Sequence, residues 1–241
     1  MNAIHPPSQK NFATDFAGSE IFPDRNKDLL LAVQELRYQV YCEECRFLKP
    51  DDYPSQRESD EYDAYSSHFV ALNREQTIAG YVRLVPPDAI QTFPFQNHCV
   101  SLLEGAVLPP ASCSAEVSRL MVHKNYRRRH GERPPSGVVL DEKNIGAHEM
   151  RNPSPQILLC LYRAMYAYSL RNGIRYWYAA MERSLARILK RMNFGFQQIG
   201  PATDYYGPVA PYVADLRFLE YQLSHSNPDL LRWMRCSDAA L

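Results

Sequence analysis

The sequence contains no long apolar run and no excess of charge of either sign. Its longest uninterrupted apolar stretches have six residues, residues 157–162 being one of them, whereas a transmembrane helix needs about 20. We therefore predict no transmembrane segment. The 27 basic residues balance the 27 acidic residues over a chain of 241, so no overall field attracts nucleic acid or an anionic membrane. We expect neither as a partner.

Signals for secretion and for disulfide bonding are also scarce. The first twenty residues lack the apolar core of a signal peptide and contain two prolines and two acids. Six cysteines are too few for a disulfide framework. Cys42 and Cys45 form a C-x-x-C, but no second pair follows at zinc-site spacing, so we interpret both as packing residues and expect no metal. These features predict a globular protein of the cytoplasm.

Several catalytic signatures are missing from the chain. It has no G-x-x-x-x-G-K-[ST] phosphate loop, no G-x-G-x-x-G, no H-E-x-x-H and no G-x-S-x-G. Each of these patterns places a particular ligand or nucleophile, so their absence excludes the most recognisable nucleotide-binding proteins, zinc proteases and esterases.

The order of apolar patterns predicts a single domain over residues 25–241, after a loosely ordered leader over residues 1–24. Residues 123–155 are basic and then rich in Pro, Gly and Asn, which is typical of a long loop. The spacing predicts helices over 27–42, 157–170 and 185–192, and strands over 68–72, 77–85, 115–122, 174–181, 196–199 and 212–216. This alternation indicates an α/β (α+β) fold with a mixed central sheet flanked by helices.

Charged residues lie within elements that should be partly buried, where unpaired charges are costly. In strand 115–122, alternation places Glu116 and Ser118 on one face and Arg119 on the other. Arg83 lies in the hairpin strand, and Arg37 lies on the first helix. Each of these charged residues also has an ordinary structural explanation. A residue on an edge strand can face solvent, and the long side chain of a helix arginine can extend its charged group to solvent. The acidic segment with Asp60 and Asp63 could likewise be a solvated loop.

In this order, the charged and aromatic residues resemble the acyl-homoserine-lactone synthases and the related N-acyl amino acid synthases, a branch of the GNAT-like acyltransferases. The matching motifs are a helix with an arginine and two aromatics, an acidic D-x-x-D, a G-x-x-R-L strand, a Phe-Pro and an E-x-S-R-[FL] strand. In this sequence they are Arg37, Tyr41, Phe47, Asp60, Asp63, Gly80, Arg83, Leu84, Phe93, Pro94, Glu116, Ser118, Arg119 and Leu120. The family more often has Phe and Trp where Tyr41 and Phe47 stand.

Three further segments resemble a subgroup, the acyltransferases associated with PEP-CTERM/exosortase systems. They are residues 126–132, 175–179 and 205–212. The likeness implies a role near bacterial surface-protein sorting or exopolysaccharide loci, and it implies nothing firm about the substrate.

The resemblance implies a GNAT-like acyl-CoA N-acyltransferase fold whose central strand, over 115–122, splays from its neighbour over 174–181. It also implies an acyltransferase enzyme that moves a medium or long acyl chain to a small amine acceptor such as an amino acid or a derivative. The implied catalytic residues are Glu116, Ser118 and Arg119. The implied substrate-binding residues are Arg37, Tyr41, Phe47, Asp60, Asp63, Arg83, Phe93, Tyr176 and Tyr178.

The acyl donor depends on the segment after the central strand. Many CoA-using relatives have a Q/R-x-x-G-x-G/A there, which holds the pyrophosphate at a helix start. Residues 124–133 instead contain five basic residues, one acid and a single glycine. We therefore expect acyl-phosphopantetheine on an acyl carrier protein as donor, docked at Arg127, Arg128 and Arg129, with no tightly bound cofactor. An acyl-CoA donor, a solvated basic loop and a non-catalytic acyl-carrier or lipid-binding module remain the alternatives.

Overall fold

A computed structural model describes residues 14–127 and 154–236. Within them, eight strands form one sheet in the order β1-β2-β3-β4-β5-β8-β6, with β7 paired to β8. The strands are β1 (Phe16–Ile21), β2 (Ser67–Asn73), β3 (Ile78–Val85), β4 (Ser114–Val122), β5 (Tyr176–Met181), β6 (Gln197–Gln198), β7 (Thr203–Asp204) and β8 (Pro208–Asp215). The helices are α1 (Lys27–Tyr38), α2 (Ser154–Arg171), α3 (Arg183–Arg191), α4 (Leu216–Ser226) and α5 (Pro228–Arg235). The predicted mixed sheet flanked by helices is confirmed.

Helices cover the two faces of the sheet with separate apolar clusters. On one face, Val33 and Leu36 of α1 pack against Tyr81 and Met121. On the other face, α2 packs against β1, β2 and β3, and it is apolar around most of its circumference because this layer is covered again by α5. None of the helices in the described part of the chain has both the length and the hydropathy of a bilayer span.

The central strands β4 and β5 separate soon after they meet. Their parallel pairing covers residues 114–116 against residues 176–178 and then ends. Beyond Glu116, β4 remains paired with β3 alone, so the backbone groups on its β5 side have no ladder partner. The splayed pair expected from the family resemblance is therefore present, and the gap between the strands opens after Glu116.

A β-bulge in β4 changes which face Arg119 occupies. Tyr81 pairs with Met121 and Arg83 pairs with Ser118, so β4 has one more residue than β3 between these pairs. The extra position is taken up at Arg119, whose φ of 57° is left-handed. The bulge shifts the alternation by one residue. The expectation that Glu116 and Arg119 face opposite sides is therefore wrong.

Several predicted boundaries also differ from the structure. Residues 16–21 of the expected loose leader form the edge strand β1, paired along its length with β2. The first helix changes at residue 39 into a π-helical turn, Gln39–Glu44. The strand expected over 196–199 is reduced to two residues, and α4 and α5 were not predicted.

Candidate active site

A pocket of about 140 Å³ lies in the gap between β4 and β5. Both strands contribute to it after they diverge, and the other walls come from the first helix, α2, α3 and the segment before β8. Its lining residues are Tyr41, Phe47, Leu48, Glu116, Val117, Ser118, Arg119, Leu120, Tyr162, Ala179, Ala180, Met181, Glu182, Leu185, Tyr205, Tyr206 and Val209. The pocket therefore forms because β4 and β5 separate.

Aromatic rings wall the exposed end of the pocket. Phe47 lies 6.3 Å from Tyr41 and 5.7 Å from Tyr206, between ring centroids. Tyr205 lies 4.8 Å from Tyr206 and stacks on His98 at 3.7 Å. The π-helical turn carries Tyr41 into this wall, and such turns are frequent at functional sites.

The other end of the pocket is apolar. Val117, Leu120 and Met181 line it, and Tyr162 of α2 reaches it from the helix layer. Tyr162 is 1% exposed, whereas Tyr206 at the aromatic end is 40% exposed. The pocket thus has an exposed aromatic end and a buried apolar end.

Glu116 lies in the pocket wall at the point where the strands separate. Its side chain is buried, and Oε2 accepts a hydrogen bond of 2.8 Å from the backbone N–H of Phe95. Burial raises the pKa of Glu116 to about 7, against the opposing effects of the Phe95 N–H, Arg83 and Arg119. A carboxylate with this pKa can accept a proton near neutral pH.

Three arginines and three acids form a buried ion cluster beside this wall. Arg37 Nη1 donates to Asp63 at 2.6 Å, and Arg37 Nε donates to Glu58. Arg83 donates to Asp60 at 2.7 Å and also to Asp63. The cluster therefore joins α1 to β3 through the acidic segment, and it brings together Arg37, Asp60, Asp63 and Arg83, four of the residues that the resemblance implied for substrate binding.

Arg119 connects this ion cluster to the pocket. Its Nη2 donates to Asp60 at 2.9 Å and to Glu58 at 3.1 Å. The guanidinium carbon also lies 5.2 Å from the ring centre of Tyr41. A left-handed backbone at a non-glycine residue persists only where surrounding contacts hold it, and these three contacts do so.

At each of the three acids, the arginines lower the pKa more than burial raises it. Burial alone would raise the pKa of Asp63, but Arg37 and Arg83 hold it at about 2. Arg119 and Arg37 likewise keep the pKa of Glu58 below its usual value despite burial. Arg83 and Arg119 do the same for Asp60. The cluster is thus charged and balanced at neutral pH.

Acid is expected to weaken the fold through this cluster. Because the pKa of Asp63 is lower in the folded protein than in the unfolded chain, the contribution of Asp63 to the free energy of unfolding is fully present above about pH 4. It is lost as the pH falls towards 2, and it amounts to about 2 kcal/mol. Urea unfolding across this pH range measures the loss. Asp63→Asn should be less stable throughout and show a flatter pH dependence; an unchanged slope would assign the effect to other acids.

Other predicted site residues lie elsewhere. Phe93 and Tyr178 pack together with a ring separation of 5.0 Å, outside the pocket lining. Tyr176 also lies outside it, beneath the guanidinium of Arg175. Arg127 forms an ion pair with Glu44, and its side chain is 8% exposed, which leaves little of it for a docking surface. Arg128 and Arg129 lie outside the described residues.

Sequence reasoning missed Glu58, Tyr162, Tyr205 and Tyr206. Glu58 could have been inferred from charge balance, because three buried arginines require more than the two aspartates of the D-x-x-D. Tyr205 and Tyr206 stand in one of the segments that carried the subgroup resemblance. No local signal marks Tyr162, because its place in the pocket depends on how α2 packs across the gap.

Part of the chain is similar in sequence to known proteins. Residues 36–133 match a family model described as an acetyltransferase (GNAT) domain. An acyl-homoserine-lactone synthase of Aeromonas salmonicida is 22% identical over 143 residues, which are 59% of this chain. The matched region spans 58% of that protein's own length.

Solved structures share the fold over nearly the whole chain. A CoA-dependent acyl-homoserine lactone synthase, BjaI, solved with SAM and isopentyl-CoA, has a TM-score of 0.62 at 17% identity, covering 92% of this chain and 99% of its own. The acyl-homoserine-lactone synthase LasI has a TM-score of 0.59 at 19% identity, covering 85% and 91%. The expected GNAT-like fold is therefore confirmed.

Proposed function

We propose that this protein is an N-acyltransferase that moves a medium or long acyl chain from a phosphopantetheine thioester to an amine, such as that of an amino acid or a derivative. The observation that carries the proposal is the position of Glu116. A buried carboxylate with a pKa of about 7 lies where two parallel strands separate and a pocket opens. Acyl transfer to an amine requires a base at such a position.

In the proposed reaction, the amine nitrogen attacks the thioester carbonyl carbon. An amide bond forms and the carbon–sulfur bond breaks. Glu116 accepts the proton that the amine loses, directly or through one water, and the proton then passes to the leaving thiolate, so that a free thiol departs. The enzyme's main contribution is to align the two reactants beside this base.

The unpaired edge of β4 supports a place for the pantetheine arm. Residues 117–120 line the pocket and have no ladder partner on the β5 side. An extended chain with amide groups can pair with such an edge as an added strand does. The acyl chain then continues into the apolar end near Met181 and Tyr162, where each buried methylene contributes about 0.8 kcal/mol.

An acyl carrier protein is our proposed donor. The basic segment over residues 124–133 lacks the glycine pattern of pyrophosphate loops and suits an acidic partner. Since Arg127 is engaged by Glu44, this docking role passes to Arg128 and Arg129. The relative BjaI is described as CoA-dependent, so acyl-CoA is the alternative donor. A cytoplasmic location and an association with PEP-CTERM/exosortase systems belong to the same proposal and rest on sequence alone.

Thiol release with matched donors tests the proposal. The purified protein is offered acyl carrier protein, CoA and pantetheine thioesters of one chain length, together with amino acids or SAM, the compound bound in the BjaI structure. Amine-dependent thiol release with an N-acyl product, detected by mass spectrometry, is the expected result. Preference for the carrier-protein donor would support docking of an acyl carrier protein at the basic segment. Equal use of the pantetheine thioester would contradict this docking. Binding of donors without thiol release, whatever the amine, would favour a non-catalytic acyl-binding module.

A further inference from the structure

We propose that Tyr162 forms the floor of the acyl subsite and sets the longest chain that the pocket accepts. The inference rests on the proposed function, because it assigns the apolar end of the pocket to the acyl chain. It concerns a residue on α2, in the layer opposite the ion cluster. Glu116 and Arg119 lie on β4, and their hydrogen bonds go to Phe95 and to the ion cluster, so none of them involves Tyr162.

The ring of Tyr162 is held by aromatic contacts on the side away from the pocket. Its centroid lies 4.7 Å from Phe194, 5.8 Å from Trp177 and 6.5 Å from Phe196, all in edge-to-face orientation. Trp177 is itself anchored, because its indole N–H donates to Ser169 at 2.9 Å. A ring fixed by three neighbours and an anchored indole is a rigid floor, since it cannot rotate away without displacing the core.

The hydroxyl of Tyr162 shows that the ring lies at the boundary between core and pocket. It makes no hydrogen bond to any residue in the described ranges, although the residue is 1% exposed and lines the pocket. Burial raises its pKa, so the group is neutral. An unpaired hydroxyl packed wholly among apolar atoms is costly. Because Tyr162 lines the pocket, its hydroxyl faces space there, whereas in a well-packed core it would be surrounded by apolar atoms.

The same helix provides a matched control. Tyr166 follows one turn later, is fully buried and belongs to the same apolar cluster. Its hydroxyl donates to Glu220, and Tyr166 is not part of the pocket lining. Shortening either tyrosine removes a similar volume from the core, but only the change at Tyr162 lengthens the pocket.

The test is the chain-length dependence of kcat/KM, measured with a series of saturated acyl thioesters on one carrier. For wild type we expect kcat/KM to fall steeply beyond a certain acyl chain length. In Tyr162→Ala this fall should move to longer chains, with a gain of about fourfold for each methylene newly buried. Tyr162→Phe should keep the wild-type limit, because the ring and not the hydroxyl stops the chain. Tyr166→Ala should also keep it.

Three outcomes would overturn the inference: an unchanged limit in Tyr162→Ala, a moved limit in Tyr162→Phe, or an equal shift in Tyr166→Ala. Tyr162→Leu replaces the alanine variant if circular dichroism shows that the latter does not fold. If wild type transfers no acyl chain at all, the proposed function fails. Equilibrium binding of the same thioester series then decides the role of Tyr162 separately, because a floor limits binding as well as turnover.

Discussion

Replacing Glu116 by glutamine should lower kcat about 10²- to 10⁴-fold and leave donor binding nearly unchanged. Glutamine has almost the same shape and can still accept the hydrogen bond from the Phe95 N–H, so the pocket should persist. It cannot take up the amine proton near neutral pH. Steady-state kinetics with a saturating amine, together with equilibrium binding of the acyl donor, separates the two effects.

The pH profile gives an independent check on Glu116. Because the pKa of Glu116 is about 7, the wild-type rate should rise as the pH increases through 7, where the base becomes deprotonated. This limb should disappear in the residual activity of Glu116→Gln. Unchanged turnover in the variant would leave Glu116 with a structural role only.

Glu116→Gln should lower the activity without lowering the stability of the fold. The pKa of Glu116 rises from about 4.5 in the unfolded chain to about 7 in the folded protein, so this residue lowers the free energy of unfolding as the pH rises from about 4.5 to 7, and the full loss is present at pH 8. Glu116→Gln should therefore be at least as stable as wild type at pH 8, by urea unfolding. A large loss of stability at this pH would mean that the fall in activity reports damage to the fold.

Removing Arg37 should cost about 3–5 kcal/mol of unfolding free energy, the largest loss expected for a single ion-cluster residue. The side chains of Arg37 and Glu58 are both 0% exposed, and Asp63 is 14% exposed. Arg37→Ala removes one of the two arginines that pair with each of these acids, in a poorly solvated site where an incompletely paired charge is strongly unfavourable. Urea unfolding at neutral pH measures the difference.

The pair between Arg57 and Glu35 is the matched control. Its nitrogen–oxygen distance of 2.8 Å is similar, but the two side chains are 40% and 47% exposed. Exposed pairs contribute about 0–1 kcal/mol, so Arg57→Ala should change stability little. Similar losses in the two variants would show that burial does not set the strength of the ion cluster.

Local pattern determined much of the architecture. The apolar spacing over residues 157–170 predicted α2, and the alternation around residues 68–85 predicted the β2–β3 hairpin. The ion cluster was predictable in part, because Arg37, Asp60, Asp63 and Arg83 form recognisable motifs and buried charges need partners. The edge strand β1 was not predictable, because a short polar stretch becomes a strand only when a neighbouring edge pairs with it.

The chemistry of the site depended on tertiary structure. The side on which Arg119 lies is decided by a bulge, which depends on the register between two strands far apart in sequence. Glu58 becomes a member of the ion cluster because the acidic segment folds back along α1, where its backbone N–H donates to Gln34. Tyr162 meets the pocket only because β4 and β5 diverge beneath α2. The sequence by itself thus determined most of the central elements and most of the charged set, whereas long-range packing decided which side chains share the pocket.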